Sequence, residues 1–148
     1  MRVQDLITMK GDKVITVLET VRIRQAVQVM HQQAIGALVV ITSAGELKGV
    51  ISEREIVVAL ARHGYHALDL RASDLMLADC PAAAPTDSVR DAMTIMTEQR
   101  VRHLPVIRGS SVVGLISIGD TVKARLSEKI AENLVLQDIA RWPAASVA

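Results

Sequence analysis

The chain has 148 residues, half of them hydrophobic, a formal net charge of +1, and one Trp, one Tyr and no Phe. The length suits one compact domain or two small units sharing a core, while the near-neutral charge and scarce aromatics argue against the basic footprint and stacking platforms of a nucleic-acid binder. No apolar run approaches the ~20 residues of a membrane span, "MRVQDLITMKGDK" has no signal-peptide core, and the single Cys80 excludes an internal disulfide; the expectation is a soluble, cytoplasmic protein.

In chain order, a short extended segment, "VITV" (14–17), comes first. Ile23, Ala26, Val27 and Met30 then recur at the i, i+3, i+4, i+7 spacing of an amphipathic helix. "ALVVI" (37–41) and "LKGVIS" (47–52) read as strands around the turn "TSAGE", and a second helix follows over about 53–62. "RHGYHALDLR" (62–71) is a connection. The order then repeats. "CPAAA" (80–84) is extended, and Val89, Ala92, Met93 and Met96 mark a helix capped by Asp87 or Ser88. "LPVI" (104–107) and "VVGLIS" (112–117) are strands around "RGSS", and a last helix spans 118–141.

The repetition extends to identities. Arg24, Ala26, Met30, Gln33, Leu38, Val40 and Ile41 fall on Arg90, Ala92, Met96, Gln99, Leu104, Val106 and Ile107. After a one-residue deletion in the turn, Gly49, Ile51, Ser52, Val57 and Ala59 fall on Gly114, Ile116, Ser117, Val122 and Ala124. "VQDLI" (3–7) also echoes "ASDLM" (72–76). The fold class is therefore α/β (α+β): two pseudo-twofold-related repeats, 1–66 and 67–126, each a small sheet packed with two helices, followed by a helical extension and tail, 127–148. A unit this small buries too little surface alone. Two copies face to face solve that, and leave matched clefts where strands end and helices begin.

Both junctions read glycine, two apolar residues, Ser, two residues, acid: "GVISERE" (49–55) and "GLISIGD" (114–120). One reading is a capped helix, with Ser accepting a backbone N–H and the acid in the first turn. The other is a ligand site. A helix N-terminus suits phosphate, and a carboxylate one turn in can take two hydrogen bonds from a ribose diol.

The doubled pattern resembles a pair of CBS (cystathionine β-synthase) domains, a Bateman module. The resemblance rests on "IGALVVITSAGELKGVISEREIV" (35–57) and "VRHLPVIRGSSVVGLISIGDTV" (101–122) and covers about residues 3–126. It is closest in character to small stand-alone bacterial CBS pairs. It implies a regulatory sensor that binds an adenosyl ligand (AMP, ADP, ATP, NAD(H) or S-adenosylmethionine), has no metal, and commonly dimerises. For one site it implies Asp120 on the ribose, Ser117 on the phosphate side, Arg102 and His103 reaching phosphates, and adenine against Ile15, Ile35, Gly36 and Ala37. For the symmetric site it implies Ser52, Arg54 and Glu55, with Cys80, Pro81, Val101 and Arg102 on the adenine side. There the acid is Glu, one methylene longer than the family's Asp, which predicts a weaker site or one filled by another part of a larger ligand.

Other features carry less. His63-x-x-His66 has a possible metal spacing, but Asp69 is the one acid near it, and no nucleophile–base–acid arrangement can be read. In the last helix Leu126, Ile130, Leu134 and Ile139 form an apolar stripe among charges, which Pro143 stops. It packs on its own core or on a second copy. Two function classes stay open: a non-catalytic adenine-nucleotide sensor, and a ligand-free protein-interaction module whose Ser-x-x-acid junctions are only caps.

Overall fold

The computed structural model describes residues 1–11 and 13–142. These form α1 (Val3–Lys10), β1 (Thr16–Leu18), α2 (Ile23–Gln33), β2 (Ala37–Ile41), β3 (Leu47–Ser52), α3 (Glu53–His63), a 3-10 segment (Gly64–Asp69), α4 (Ala72–Leu75), α5 (Val89–Gln99), β4 (His103–Arg108), β5 (Ser111–Ser117) and α6 (Ile118–Arg141). The mixed α/β architecture of two like halves with a C-terminal helix is the one the sequence predicts. Pro143, the expected stop of α6, lies outside the described residues.

The copies match down to their irregularities. The β2–β3 hairpin pairs Ala37 with Ser52 and slips register at Val40/Ile41, and the β4–β5 hairpin pairs His103 with Ser117 and slips at Val106/Ile107. α2 ends on Ala34 at φ 53° and α5 on Arg100 at φ 54°, the two non-glycine residues of positive φ among those described. A left-handed residue reverses the chain at a helix end. The next amides, of Ile35 and Val101, then bond back to the Met30 and Met96 carbonyls, each at 3.0 Å. One step on, the Gly36 and Arg102 carbonyls accept the first amides of α3 and α6, at 3.0 and 2.9 Å. Each hairpin is thereby tied to the N-terminus of the helix that follows it.

The copies differ in their third strand. β1 runs parallel to β2 through Thr16, Val17 and Leu18. Its counterpart, the expected "CPAAA", shrinks to a single bridge between Ala83 and Val106. Pro81 and Pro85 lack an amide donor, and alanine packs poorly on a pleated surface, so the ladder stops after one residue.

The cores cross over the sequence copies. α1 places Val3, Leu6 and Ile7 in the cluster with Val89, Ala92, Met96, Leu104, Val106 and Ile116 of the second copy. α4, which opens the second copy, puts Ala72 among Ile23, Ala26, Leu38, Val40 and Ile51 of the first. Both short helices lie across a glycine. An added Cβ on Gly114 would come within 2.8 Å of Ile7 Cδ1, and one on Gly49 within 2.6 Å of the Leu77 carbonyl oxygen, just beyond α4. The glycine shared by the two copies is explained by this close crossing. Neither glycine has positive φ.

Candidate functional site

Two clefts open at the strand-to-helix junctions. The first, ≈ 270 Å³, lies among Ile7, Lys10, Gly11, Lys13, Val14, Ile15, Ile35, Gly36, Ala37, His103, Gly114, Leu115 and Ser117. It brings Ile15, Ile35, Gly36 and Ala37 of the first copy against His103 and Ser117 of the second. Within the second copy, strand pairing sets His103 directly across from Ser117. Asp120 stands one turn into α6, bonded to the lining residue Lys10.

The Asp120 contacts are all on one oxygen. Oδ2 accepts the Ser117 backbone N–H at 2.8 Å and the Lys10 ammonium at 2.7 Å, and the ammonium also donates to the Leu115 carbonyl at 2.9 Å. Ser117 Oγ accepts the Asp120 amide at 3.1 Å, which completes a capping box. The capped helix of the sequence reading is therefore present, and Oδ1 carries no hydrogen bond among the described residues. Burial pushes the Asp120 carboxyl up, but Lys10 and the Ser117 hydrogen bonds outweigh it and hold the group below its ordinary value. Burial holds His103 below its ordinary value, partly offset by Glu55.

The second cleft, ≈ 470 Å³, is lined by Val50, Ser52, Arg54, Glu55, Leu77, Cys80, Gln99, Arg100, Val101, Arg102 and His103. Its acid is arranged differently. The Glu55 carboxylate accepts both the Ser52 amide, at 2.8 Å, and the Ser52 hydroxyl. The longer side chain folds back on its own serine and takes that hydroxyl's proton. Arg54, Arg100 and Arg102 form no ion pair among the described residues. Burial pushes the half-buried Cys80 thiol up, away from the reactive thiolate.

Arg102 is thus on the second cleft and not beside Asp120, while its neighbour His103 lines both. Pro81 does not line the second cleft. Lys10, Lys13 and Arg100 were not legible as site residues. No motif marks them, and the helix that delivers Lys10 is placed by long-range packing. Among the described residues, His66 stacks on Tyr65 with ring centroids 4.6 Å apart, no three His, Cys, Asp or Glu cluster as metal ligands, and no helix is long and apolar enough to cross a membrane.

Comparison with known proteins gives a family. A family model described as CBS domain matches residues 3–62 and again 72–127. The chain is 35% identical over 107 residues to the mitochondrial CBS domain-containing protein CBSX3 of Arabidopsis thaliana, a match covering 70% of this chain and 52% of that protein. The chain thus spans about half the length of that relative. Among solved structures, the CBS-domain containing protein ATU1752 from Agrobacterium tumefaciens superposes with a TM-score of 0.80 at 38% identity, over 84% of this chain and 99% of that one. CBSX2, solved in complex with AMP, superposes with a TM-score of 0.72 over 86% of this chain and 98% of that one; at 21% identity this is a likeness of fold.

Proposed function

Since the chain belongs to the CBS domain family and carries two copies in tandem, we propose that it binds an adenine nucleotide (AMP, ATP or NAD(H)) between its copies and works as a sensor without catalysis of its own. One observation supports this reading above the others. Ser117 of one copy and the small, apolar edge Ile15, Ile35, Gly36 and Ala37 of the other line a single cleft, and Asp120 is joined to that lining by its capping box with Ser117 and its ion pair with Lys10. A base needs a flat apolar slot, a ribose needs a carboxylate, and a phosphate needs hydroxyl and cationic donors. That the AMP-bound CBSX2 has the same fold agrees with it. The chain works as a homodimer on this reading, because α3 and α6 expose Val57, Leu60, Val122, Leu126, Ile130 and Leu134.

The competing reading, an interaction module, draws on the capping boxes at both junctions. Thermal unfolding with each ligand at millimolar concentration separates the two. A ligand at 100 times its Kd stabilises the native state by about 2.7 kcal/mol. Asp120→Ala should abolish that shift, and lose about 0.5–2 kcal/mol as a cap. No shift with AMP, ATP or NAD(H) would leave the interaction module.

A further inference from the structure

Among the described residues, His103 is the one side chain that lines both clefts. It stands directly across from Ser117 in the β4–β5 pairing. Directly paired residues project from the same face of a hairpin, with Cβ atoms about 4.5–5.5 Å apart, so ring and hydroxyl enter the first cleft together. In the first copy the position across from Ser52 is held by Ala37, so the imidazole has no twin. The charges that face the ring come from several elements: Glu55 and Glu53 of α3, Lys10 of α1 and Asp120 of α6. Lys13, Arg54, Arg100 and Arg102 complete the charged linings of the two clefts among the described residues. Burial outweighs the acids and holds the ring below its ordinary value. An anion brought within about 4–6 Å works the other way, because it favours the protonated form. The imidazolium then donates from both nitrogens.

We propose that His103 takes up a proton when an anionic ligand enters the first cleft, and that this proton couples the two clefts, since one ring forms part of the wall of each. The proposal rests on the nucleotide reading above and adds its regulation. Occupancy depends on pH, and charge placed in the second cleft is felt in the first. The sign follows from linkage. The free ring titrates below 6.5 and the liganded ring above the free one, so binding tightens as pH falls through the liganded value and levels off below the free value.

The test is calorimetric titration of the full chain with AMP, ATP and NAD, in two buffers of different ionisation heat, which counts the protons taken up on binding. The proteins are the wild type, His103→Gln and Glu55→Gln. A phosphate's own proton, with a pKa of about 6, is common to all three proteins and cancels in the comparison. The wild type should take up about half a proton more than His103→Gln near pH 6.5, and its affinity should rise about tenfold more between about pH 8 and about pH 6. Glu55→Gln removes an acid of the second cleft and should move the window of uptake to lower pH. The His103 ring signal in proton NMR, identified by its absence from His103→Gln, gives a readout on the wild type alone. Its titration midpoint should rise by about one pH unit when ligand is added. A midpoint that stays in place, or equal uptake by wild type and His103→Gln, overturns the proposal while leaving the nucleotide site standing. An unmoved window in Glu55→Gln overturns the coupling of the clefts. If none of the three ligands binds the wild type, the nucleotide reading fails and takes this proposal with it.

Discussion

Replacing Gly49 by alanine tests how the short helices are seated. In ordinary extended backbone, glycine to alanine stabilises by about 0.4–1 kcal/mol, because the unfolded chain loses freedom. Here the new Cβ would meet the Leu77 carbonyl oxygen at 2.6 Å and Met76 Sδ at 3.0 Å. The obstacle is backbone, and it is fixed by two hydrogen bonds to Val50, at 2.9 and 3.3 Å. Overpacking costs about 1–3 kcal/mol, and strained backbone bonds add about 1 kcal/mol. The net loss should be about 2 kcal/mol, a fall in Tm of roughly 4–8 °C for a domain of this size. At Gly114 the obstacle is the end of a side chain, Ile7 Cδ1 at 2.8 Å, which can turn at lower cost. Gly114→Ala should lose about 1–2 kcal/mol, or roughly 3–6 °C. Scanning calorimetry of both variants beside the wild type decides the matter. A Gly49→Ala protein melting as high as the wild type, or higher than Gly114→Ala, would refute the close crossing.

Two further expectations concern pH. Asp120 is held below its ordinary value of 3.8, so its contribution is complete above that value and is lost as pH falls through the folded-state pKa. The Tm difference between the wild type and Asp120→Asn should therefore shrink from about pH 5 to about pH 3, as followed by far-UV circular dichroism; a constant difference would contradict the Lys10 pairing. His103 is held below its ordinary 6.5, mainly by burial, with Glu55, Glu53, Asp120 and Lys10 as the charges around it. The unfolded chain takes up a proton there before the folded one does, so stability falls as pH drops below about 6.5. His103→Gln should flatten that slope between about pH 7 and about pH 5, and a slope equal to the wild type's would remove His103 from the account.

Much of the fold was legible because its signals are local. The 3.6-residue spacing of Ile23, Ala26 and Met30, the short apolar runs of the hairpins bounded by turns and the Ser-x-x-acid junctions each lie within one stretch of chain. The doubled pattern let each copy check the other. What escaped depends on distance in sequence. "VQDLI" and "ASDLM" were visible as an echo, but α4 has only four residues, too few to show a helical period. Nothing in either stretch says which sheet it will cover. Lys10 follows from that placement, and so does the seating of Gly114 beneath Ile7. Arg102, which the resemblance assigns to both clefts, lines the second. The stripe Leu126, Ile130, Leu134 and Ile139 is legible as apolar, and each of the four is more than half exposed, so this chain's own core does not cover it.

The crossing of α1 and α4 has a consequence for how the molecule can be taken apart. Each hydrophobic centre is sealed by a segment that sequence comparison credits to the other half. The arrangement is that of an exchanged dimer written into one continuous polypeptide, with the connection at Gly64–Asp69 as its tether. A cut at that tether would not yield two independent folding units. Each fragment would keep a plug for its sibling and lack its own, so the separate pieces should gain structure only when mixed. The most distant contacts, such as the Val3 amide on the Asp87 carbonyl at 2.8 Å, also close some of the longest loops the chain makes. The N-terminal helix should therefore be among the last elements to dock during folding, and it carries the lysine that reaches Asp120.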